Sequence, residues 1–346
     1  MGIFSRSTGL GPAPVDGADL LLADLDGVVY RGREPIPHAV EGLNAIQRAG
    51  TPVGYITNNA SRTDAAVAEQ LRELGLHVRP EEVVTSPQAA MRLLREQVPS
   101  DSLVLVVGGD GILHELERAG YRTTRSADDE PDAVVQGFAP HVGWEQLAEA
   151  SFALADREIP WIATNQDWTI PVARGLAPGN GTLVAAVHTA VQRMPKVAGK
   201  PETPIFEEAA ERFSAQRPVF VGDRMDTDIK GARRAGMRSV LVLTGVDRPK
   251  QVLAAAPDER PDCIVEDLRG LREPYPEVEV TREHELAIAR VGRERVSVHG
   301  IEVRIDSAGR SRIDLLRAAS AAIGASEKLI YALSIPPALY EDVFRR

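Results

Sequence analysis

The 346-residue sequence holds one cysteine, Cys263, so no intramolecular disulfide can staple the fold, and a reducing, cytoplasmic setting is the expectation. The thiol itself reads as a small hydrophobe on a strand rather than as a nucleophile. No run of about eighteen apolar residues occurs, which excludes a membrane-spanning helix. The opening MGIFSRSTGLGPAPVDG lacks the apolar stretch of a signal peptide, and Arg6 stands where a myristoylation motif wants a hydroxyl. These first residues read as disordered. Positive charge is in short supply as well: 40 Lys and Arg face 50 Asp and Glu, for a net charge of −10. That balance excludes a nucleic acid or a membrane surface as main partner, while leaving room for a local basic pocket around a small anion. The 7 histidines, His141 and His188 among them, show no metal-ligand spacing. No GxxxxGK[ST] loop is present, and VVGGDG at 106–111 lacks the third glycine of a dinucleotide loop.

What remains is an ordinary soluble composition, 43% hydrophobic and 26% charged, in a chain long enough for two or three domains. Short apolar runs alternate with helical periodicity from residue 20 onward, the pattern of a parallel sheet with crossover helices. The first run, LLLADLDG, sets the theme. Leu20 to Ala23 fit a buried parallel strand, and two carboxylates, Asp24 and Asp26, follow at its C-terminal end before Gly27 turns the chain. If the strand stays regular, the two carboxylates share a face. Open α/β sheets bind ligands at that edge. Residues 28–37 read as a short hairpin over the strand end. A second run, 53–56, ends in Thr57-Asn58-Asn59.

From about residue 87 to 193 a second α/β unit interrupts the first, which resumes with KVAGKP at 196–201 and an apolar run leading into GDRMDTD at 222–228. The expected organisation is therefore a core over 1–86 and 194–272, an inserted unit over 87–193, and a C-terminal unit over 278–346. Past Leu271 the stretch EPYPEVEVTREHE, 273–285, reads as a linker into that last unit, stiffened by Pro274 and Pro276. The unit offers a hairpin at 296–305, two helices at 311–322 and 336–344, and no chemical constellation. No internal repeat appears.

Four elements thus sit after strands or before helices: DLDG at 24–27, TNNAS at 57–61, GK at 199–200 and GDRMDTD at 222–228. In a parallel sheet these places converge on one edge. Taken singly, each has a plainer account. Thr57 and its neighbours can cap a helix, Lys200 can be a surface lysine before Pro201, and Asp223 and Asp228 can cap a helix start. Asp226 reads as solvated or capping. Taken together, two carboxylate pairs, a hydroxyl and a lysine make a site.

The ordered set DxDG, TNN, GKP, GDRxxTD resembles the haloacid dehalogenase superfamily of phosphatases. It is most similar to the branch of 4-nitrophenyl phosphatase-like, phosphoglycolate, glycerol phosphate and pyridoxal phosphate phosphatases. DGVVYRG at 26–32, TNQDWTIP at 164–171 and PGNGTLVAAV at 178–187 extend the match, which spans roughly 18–272. The resemblance implies a Rossmann-like parallel-sheet α/β core with a large inserted α/β cap, here followed by a small α+β C-terminal domain. It also implies Mg²⁺, a hard cation that takes few carboxylates plus the substrate phosphate. Asp24 and Asp223 would be the carboxylate ligands, the backbone carbonyl of Asp26 a third, and Asp228 would support them. Asp24 would attack phosphorus to give an aspartyl-phosphate, and Asp26 would act as general acid and then base. Thr57 and the amide after it would hold phosphate oxygens, with Asn58 and Asn59 beside them, and Lys200 would neutralise charge. Asn165, Asp167 and the loop 174–180 border the pocket in this reading, with plain hinge packing as the other account.

The expected activity is Mg²⁺-dependent hydrolysis of a small phosphate monoester, with glycerol 3-phosphate or 2-phosphoglycolate favoured by the resemblance. Pyridoxal phosphate, a nucleoside monophosphate or a sugar phosphate stay open as substrates. A non-catalytic regulatory protein on the same fold is the alternative from another class. A homo-oligomer is compatible with the sequence, and the C-terminal unit could serve self-association or tune activity.

Overall fold

The computed structural model describes residues 9–172 and 174–341. The chain divides into two compact units, one formed by Met1–Val53 with Arg217–Arg346 and the other by Gly54–Gln216.

The first unit is built on four parallel strands in the order Cys263–Val265, Arg238–Val242, Pro218–Gly222, Leu20–Asp24. Register is fixed by pairs such as Leu22 with Phe220 and Val221 with Val240. All five residues of Leu20–Asp24 are buried, as an apolar run without alternation requires when both faces of a sheet are covered. Helix Ala39–Arg48 turns Ala39, Leu43 and Ile46 inward. After the strand the chain wraps around one carbonyl: Leu25 O accepts the amides of Val29 (2.8 Å) and Tyr30 (3.1 Å). Gly27 takes φ +83°, open to glycine at little cost. The expected hairpin forms here, pairing Tyr30–Arg31 with Glu34–Pro35.

Two expectations need correction. Residues 1–8 lie outside the described part, but residues 9–17 are not disordered. The Glu277 amide donates to Gly9 O (2.9 Å) and the Gly11 amide to Tyr275 O (2.7 Å), while Ala13 is buried. The supposed linker also contains a strand. Val278–Glu283, Leu286–Val291, Glu294–His299 and Glu302–Ser307 form a four-stranded antiparallel sheet in sequence order. The anticipated hairpin is its last pair, with Val296 opposite Ile305. Every residue of Val278–Glu283 is exposed, so the strand carries no buried face for the sequence to advertise. Of the second anticipated helix, only the single turn Pro337–Leu339 forms, and 342–346 lie outside the described residues.

Helix Arg312–Ser326 joins this sheet to the parallel one. Leu315, Leu316, Ala318, Ala319, Ala322 and Ile323 are buried in a single cluster. That cluster takes in Ala289, Val296 and Val298 of the antiparallel sheet together with Met225, Ile229, Leu241 and Ile264 of the parallel one. Arg317 adds a polar lock: its guanidinium donates to Ile264 O (2.6 and 2.9 Å) and lies 4.4 Å over the Tyr275 ring.

In the second unit, Val53–Thr57 pairs in parallel with Val83–Thr85. Helix Asp64–Glu73 starts at Thr63, whose hydroxyl accepts the Ala66 amide at 3.2 Å. A five-stranded parallel sheet follows, in the order Lys196–Val197, Trp161–Ala163, Ala133–Gln136, Leu103–Val107, Arg122–Thr124. Its core of Leu105, Val107, Val134 and Trp161 receives Leu154 and Val184 from helices Trp144–Ala155 and Asn180–Val191. The stretch read as the loop 174–180 includes a strand, Gly175–Pro178, paired with Thr169–Val172 in a hairpin. Among the described residues no helix is long and apolar enough to cross a membrane.

The shared cluster predicts that the C-terminal helix and the parallel sheet unfold together. Ile323→Ala should cost about 2–4 kcal/mol, read in urea as one coincident transition of hydrogen-exchange protection in helix Arg312–Ser326 and in the parallel strands of the first unit. A separate early transition, or none of that loss, would show the helix to be an independent appendage.

Candidate active site

The acidic centre of the first unit is assembled at strand ends. Asp24 is the last residue of Leu20–Asp24, and Asp223 directly follows Pro218–Gly222. Asp228 comes from the π-helical turn Met225–Ile229, a local widening of the kind that often marks functional positions. Asp24, Asp223 and Asp228 are buried, at 8%, 1% and 0% exposure, and each offers an oxygen within 4.8 Å of the others. Asp26 stands differently. The strand stops at Asp24 and the chain curls around Leu25, so Asp24 is buried and Asp26 exposed rather than both lining one strand face.

Backbone amides hold this centre. Asp228 Oδ2 accepts the amides of Asp223 (3.0 Å) and Arg224 (3.1 Å). Asp223 Oδ2 accepts the Val246 amide at 2.6 Å, and Asp223 O accepts the Asp247 amide at 3.1 Å. Packing is close: a Cβ on Gly27 would lie 2.2 Å from Asp223 Oδ2, and one on Gly222 would lie 2.3 Å from Asp228 Cβ. Asp226, by contrast, is exposed and paired with Arg224 at 2.9 Å, as a solvated residue would be.

Three buried carboxylates at this separation repel one another, and their shared space favours a cation. The donor set is all oxygen, which suits Mg²⁺ better than a thiophilic or imidazole-seeking metal. Asp24 and Asp223 would hold it, with Asp228 orienting the loop between them.

The second unit gathers the other predicted residues around Asn58. Its Oδ1 accepts the Lys200 amide (2.8 Å), and its Nδ2 donates to Lys200 O (3.1 Å) and to both oxygens of Asp167 (3.2 Å each). Asn58 O accepts Asn165 Nδ2 (2.8 Å) and the Ser86 hydroxyl (2.8 Å). Asn165, 4% exposed, also accepts the Asp167 amide at 3.2 Å, and its carbonyl accepts Asn180 Nδ2 at 2.8 Å. A Cβ on Gly199 would lie 2.5 Å from Asn58 Oδ1, so GK at 199–200 needs its glycine to reach this clamp. Lys200 is buried, at 4% exposure, and precedes a cis peptide to Pro201. Thr57 ends its strand buried, its hydroxyl accepting the Asn59 amide at 3.1 Å. Asn59 turns away from the clamp, with Oδ1 accepting the Ser61 amide (2.9 Å) and hydroxyl (2.8 Å). The plainer account of Thr57 as a helix cap does not hold, because Thr63 caps that helix.

Sequence reasoning passed over Thr244, Gly245 and Asp247. The Thr244 hydroxyl donates to Gly27 O (2.7 Å), and Asp247 Oδ2 accepts the Met225 amide (2.6 Å). Burial pushes the Asp247 carboxyl above the ordinary range, while the Met225 bond pulls it back. The available signal was position: these residues directly follow Arg238–Val242, at the same kind of strand end as Asp24 and Asp223. Cys263 fits its expected role, with burial raising its thiol to about 11.

A parallel α/β fold with an oxygen-only carboxylate centre at its strand ends suits metal-assisted chemistry on an anionic, oxygen-rich group such as phosphate. The sequence model for haloacid dehalogenase-like hydrolases matches residues 21–122, and a HAD-hydrolase-like model matches 197–271. A D-glycerol 3-phosphate phosphatase of Mycobacterium tuberculosis is 44% identical over 255 residues, 74% of this chain and 71% of that protein. Human chronophin is 37% identical over 271 residues, 73% of this chain and 92% of that protein. The crystal structure of the M. tuberculosis glycerol phosphate phosphatase with magnesium aligns with a TM-score of 0.80 at 37% identity, covering 92% of this chain and 94% of that one. A p-nitrophenyl phosphatase from Archaeoglobus fulgidus aligns at 0.68 and 29% identity, covering 73% of this chain and 98% of that one. The chain belongs to the haloacid dehalogenase-like hydrolase family.

The Asn58 clamp yields a direct expectation. Asn58→Asp keeps the shape but sets a carboxylate against Asp167 and removes the donor to Lys200 O. It should lower phosphatase turnover by at least about tenfold and destabilise the chain by about 1–3 kcal/mol. Turnover of p-nitrophenyl phosphate and the thermal midpoint, each against the parent chain, provide the check.

Proposed function

We propose that this chain hydrolyses glycerol 3-phosphate, as a Mg²⁺-dependent phosphatase working through an aspartyl-phosphate on Asp24. The observation that carries the reaction class is the buried trio Asp24, Asp223 and Asp228 at strand ends in a family of phosphate hydrolases. Support for the substrate is the 44% identity to a D-glycerol 3-phosphate phosphatase. 2-Phosphoglycolate remains the second candidate, ahead of pyridoxal, nucleoside and sugar phosphates.

When bound, Mg²⁺ supplies positive charge that lowers the repulsion between the anionic ester and the carboxylates. Asp24 Oδ attacks phosphorus as the ester P–O bond breaks. The departing alkoxide takes a proton from Asp26, whose exposure suits exchange with solvent and substrate. Asp26, now a carboxylate, accepts a proton from water as that oxygen attacks phosphorus, which frees inorganic phosphate and restores Asp24. Thr57 receives the Asn59 amide on its oxygen, leaving the hydroxyl hydrogen to donate to a phosphoryl oxygen, and the Asn58 amide is a second donor. Lys200, fixed through both its amide and its carbonyl by Asn58, supplies charge to the phosphoryl group.

The inserted stretch 87–193 acts as the cap over this chemistry, excluding water and reading the alcohol. Asn165 and Asp167 serve it by holding the Asn58 clamp. A cytoplasmic location accords with a chain that holds one cysteine and so no internal disulfide.

A panel of phosphate esters assayed with Mg²⁺ and with EDTA tests the reading. Glycerol 3-phosphate should give the highest kcat/KM, EDTA should abolish release of phosphate, and Asp24→Asn should lower turnover by at least about a thousandfold. Metal-independent release, or an active Asp24→Asn chain, would remove the proposed chemistry. Metal binding without hydrolysis of any ester would favour a regulatory protein instead.

A further inference from the structure

The loop 244–247 has no part in the reaction just described, yet it touches both acidic turns of the first unit. On one side, the Thr244 hydroxyl donates to Gly27 O at 2.7 Å, and Thr244 O accepts Arg31 Nη2 from the hairpin at 2.5 Å. These contacts pin the turn that leaves Asp24 and Asp26. On the other side, the loop reads Asp223 with two amides, from Val246 to Oδ2 at 2.6 Å and from Asp247 to the carbonyl at 3.1 Å. The Asp247 carboxylate then accepts the Met225 amide at 2.6 Å, at the entry to the turn that carries Asp228. Gly245 makes the approach possible, since a Cβ there would lie 1.8 Å from Asp223 Oδ2.

We propose that Thr244 and Asp247 are positioning residues for the divalent cation, fixing the turns that follow Asp24 and Asp223 through their backbones and so holding the carboxylates in place at the paired strand ends. The inference rests on the Mg²⁺-dependent reading above. Sheet pairing such as Ala23 with Val221 brings the two strand ends together, and the loop adds a tie between the turns that follow them. Neither residue needs to contact the cation. Removing either tie leaves the carboxylates present but freer to separate, which weakens metal binding without altering the phosphate-binding groups. Partners of metal ligands typically change affinity by about 10–100-fold when removed.

The full-length chain, stripped of metal, is titrated with Mg²⁺ by isothermal calorimetry and assayed over a Mg²⁺ series. Thr244→Val and Asp247→Ala should each weaken Mg²⁺ binding by about tenfold or more. Turnover should recover at high Mg²⁺, and KM for the phosphate ester should stay close to the parent's. Thr244→Ser and Asp247→Asn, which keep a hydroxyl donor and an amide acceptor, should restore most of the affinity. Thermal midpoints of the metal-free chains separate loss of the fold from loss of the tie. Parental Mg²⁺ affinity in both Thr244→Val and Asp247→Ala would overturn the proposal, as would an equal loss in the conservative pair. A parent chain that neither binds nor needs Mg²⁺ would instead overturn the reading beneath it.

Discussion

Mutual repulsion among Asp24, Asp223 and Asp228 is the constraint around which the first unit is arranged. At effective dielectric constants typical of protein sites, two charges about 4–5 Å apart repel by several kcal/mol. Main-chain amides meet part of that repulsion. Asp228 draws two amides, and Asp223 draws a third from a separate loop. Each donor is part of a rigid turn, so the carboxylates are held in place before any cation arrives. Preorganisation of this kind is what electrostatic catalysis requires, because nothing must reorient at the moment of reaction.

The second unit applies the same economy to a positive group. Lys200 is buried, and the structure orders it through its backbone: Asn58 grips the amide and the carbonyl on either side of its Cα. A carboxamide is well suited to this, offering a donor and an acceptor in one plane. Asp167 and Asn165 then fix Asn58. Read from the sequence, these two residues bordered a pocket. In the structure both bond to Asn58, which in turn grips Lys200.

How much of this was legible follows from where the information resides. DLDG and GDRMDTD were readable because an apolar run followed at once by carboxylates is a local pattern, and a buried strand reaching a sheet edge produces it directly. The separation of Asp24 from Asp26 was not, since it depends on where the strand stops and on Leu25 O gathering the amides of Val28, Val29 and Tyr30. Thr244 and Asp247 were invisible for a related reason. Their importance lies in contacts to Gly27 and Met225, residues far away in sequence, and nothing in TGVD announces a partner. The edge strand Val278–Glu283 escaped because its alternation is confined to Val278 and Val280, none of its residues is buried, and the prolines and acidic residues around it read as linker. Residues 9–12 escaped because a few main-chain bonds to 275–277 tie them down without any hydrophobic pattern.

The C-terminal helix gives the acidic centre a foundation that the family motifs do not contain. Met225 and Ile229 flank Asp228 on its turn, and both side chains lie in the cluster that Leu315, Leu316 and Ile323 help to fill. A turn carrying a buried carboxylate is costly to keep closed, and apolar burial is the available source of opposing free energy. Through that cluster the helix shares an apolar core with the residues on either side of Asp228. That arrangement explains why this chain can carry a small antiparallel sheet without a flexible tether: Arg312–Ser326 is buried on two fronts, and either front left open would expose an apolar face to water. The sheet's role in the first unit is accordingly mechanical before it is anything else. It covers one side of a helix whose other side covers the parallel sheet that bears Asp24 and leads into Asp223.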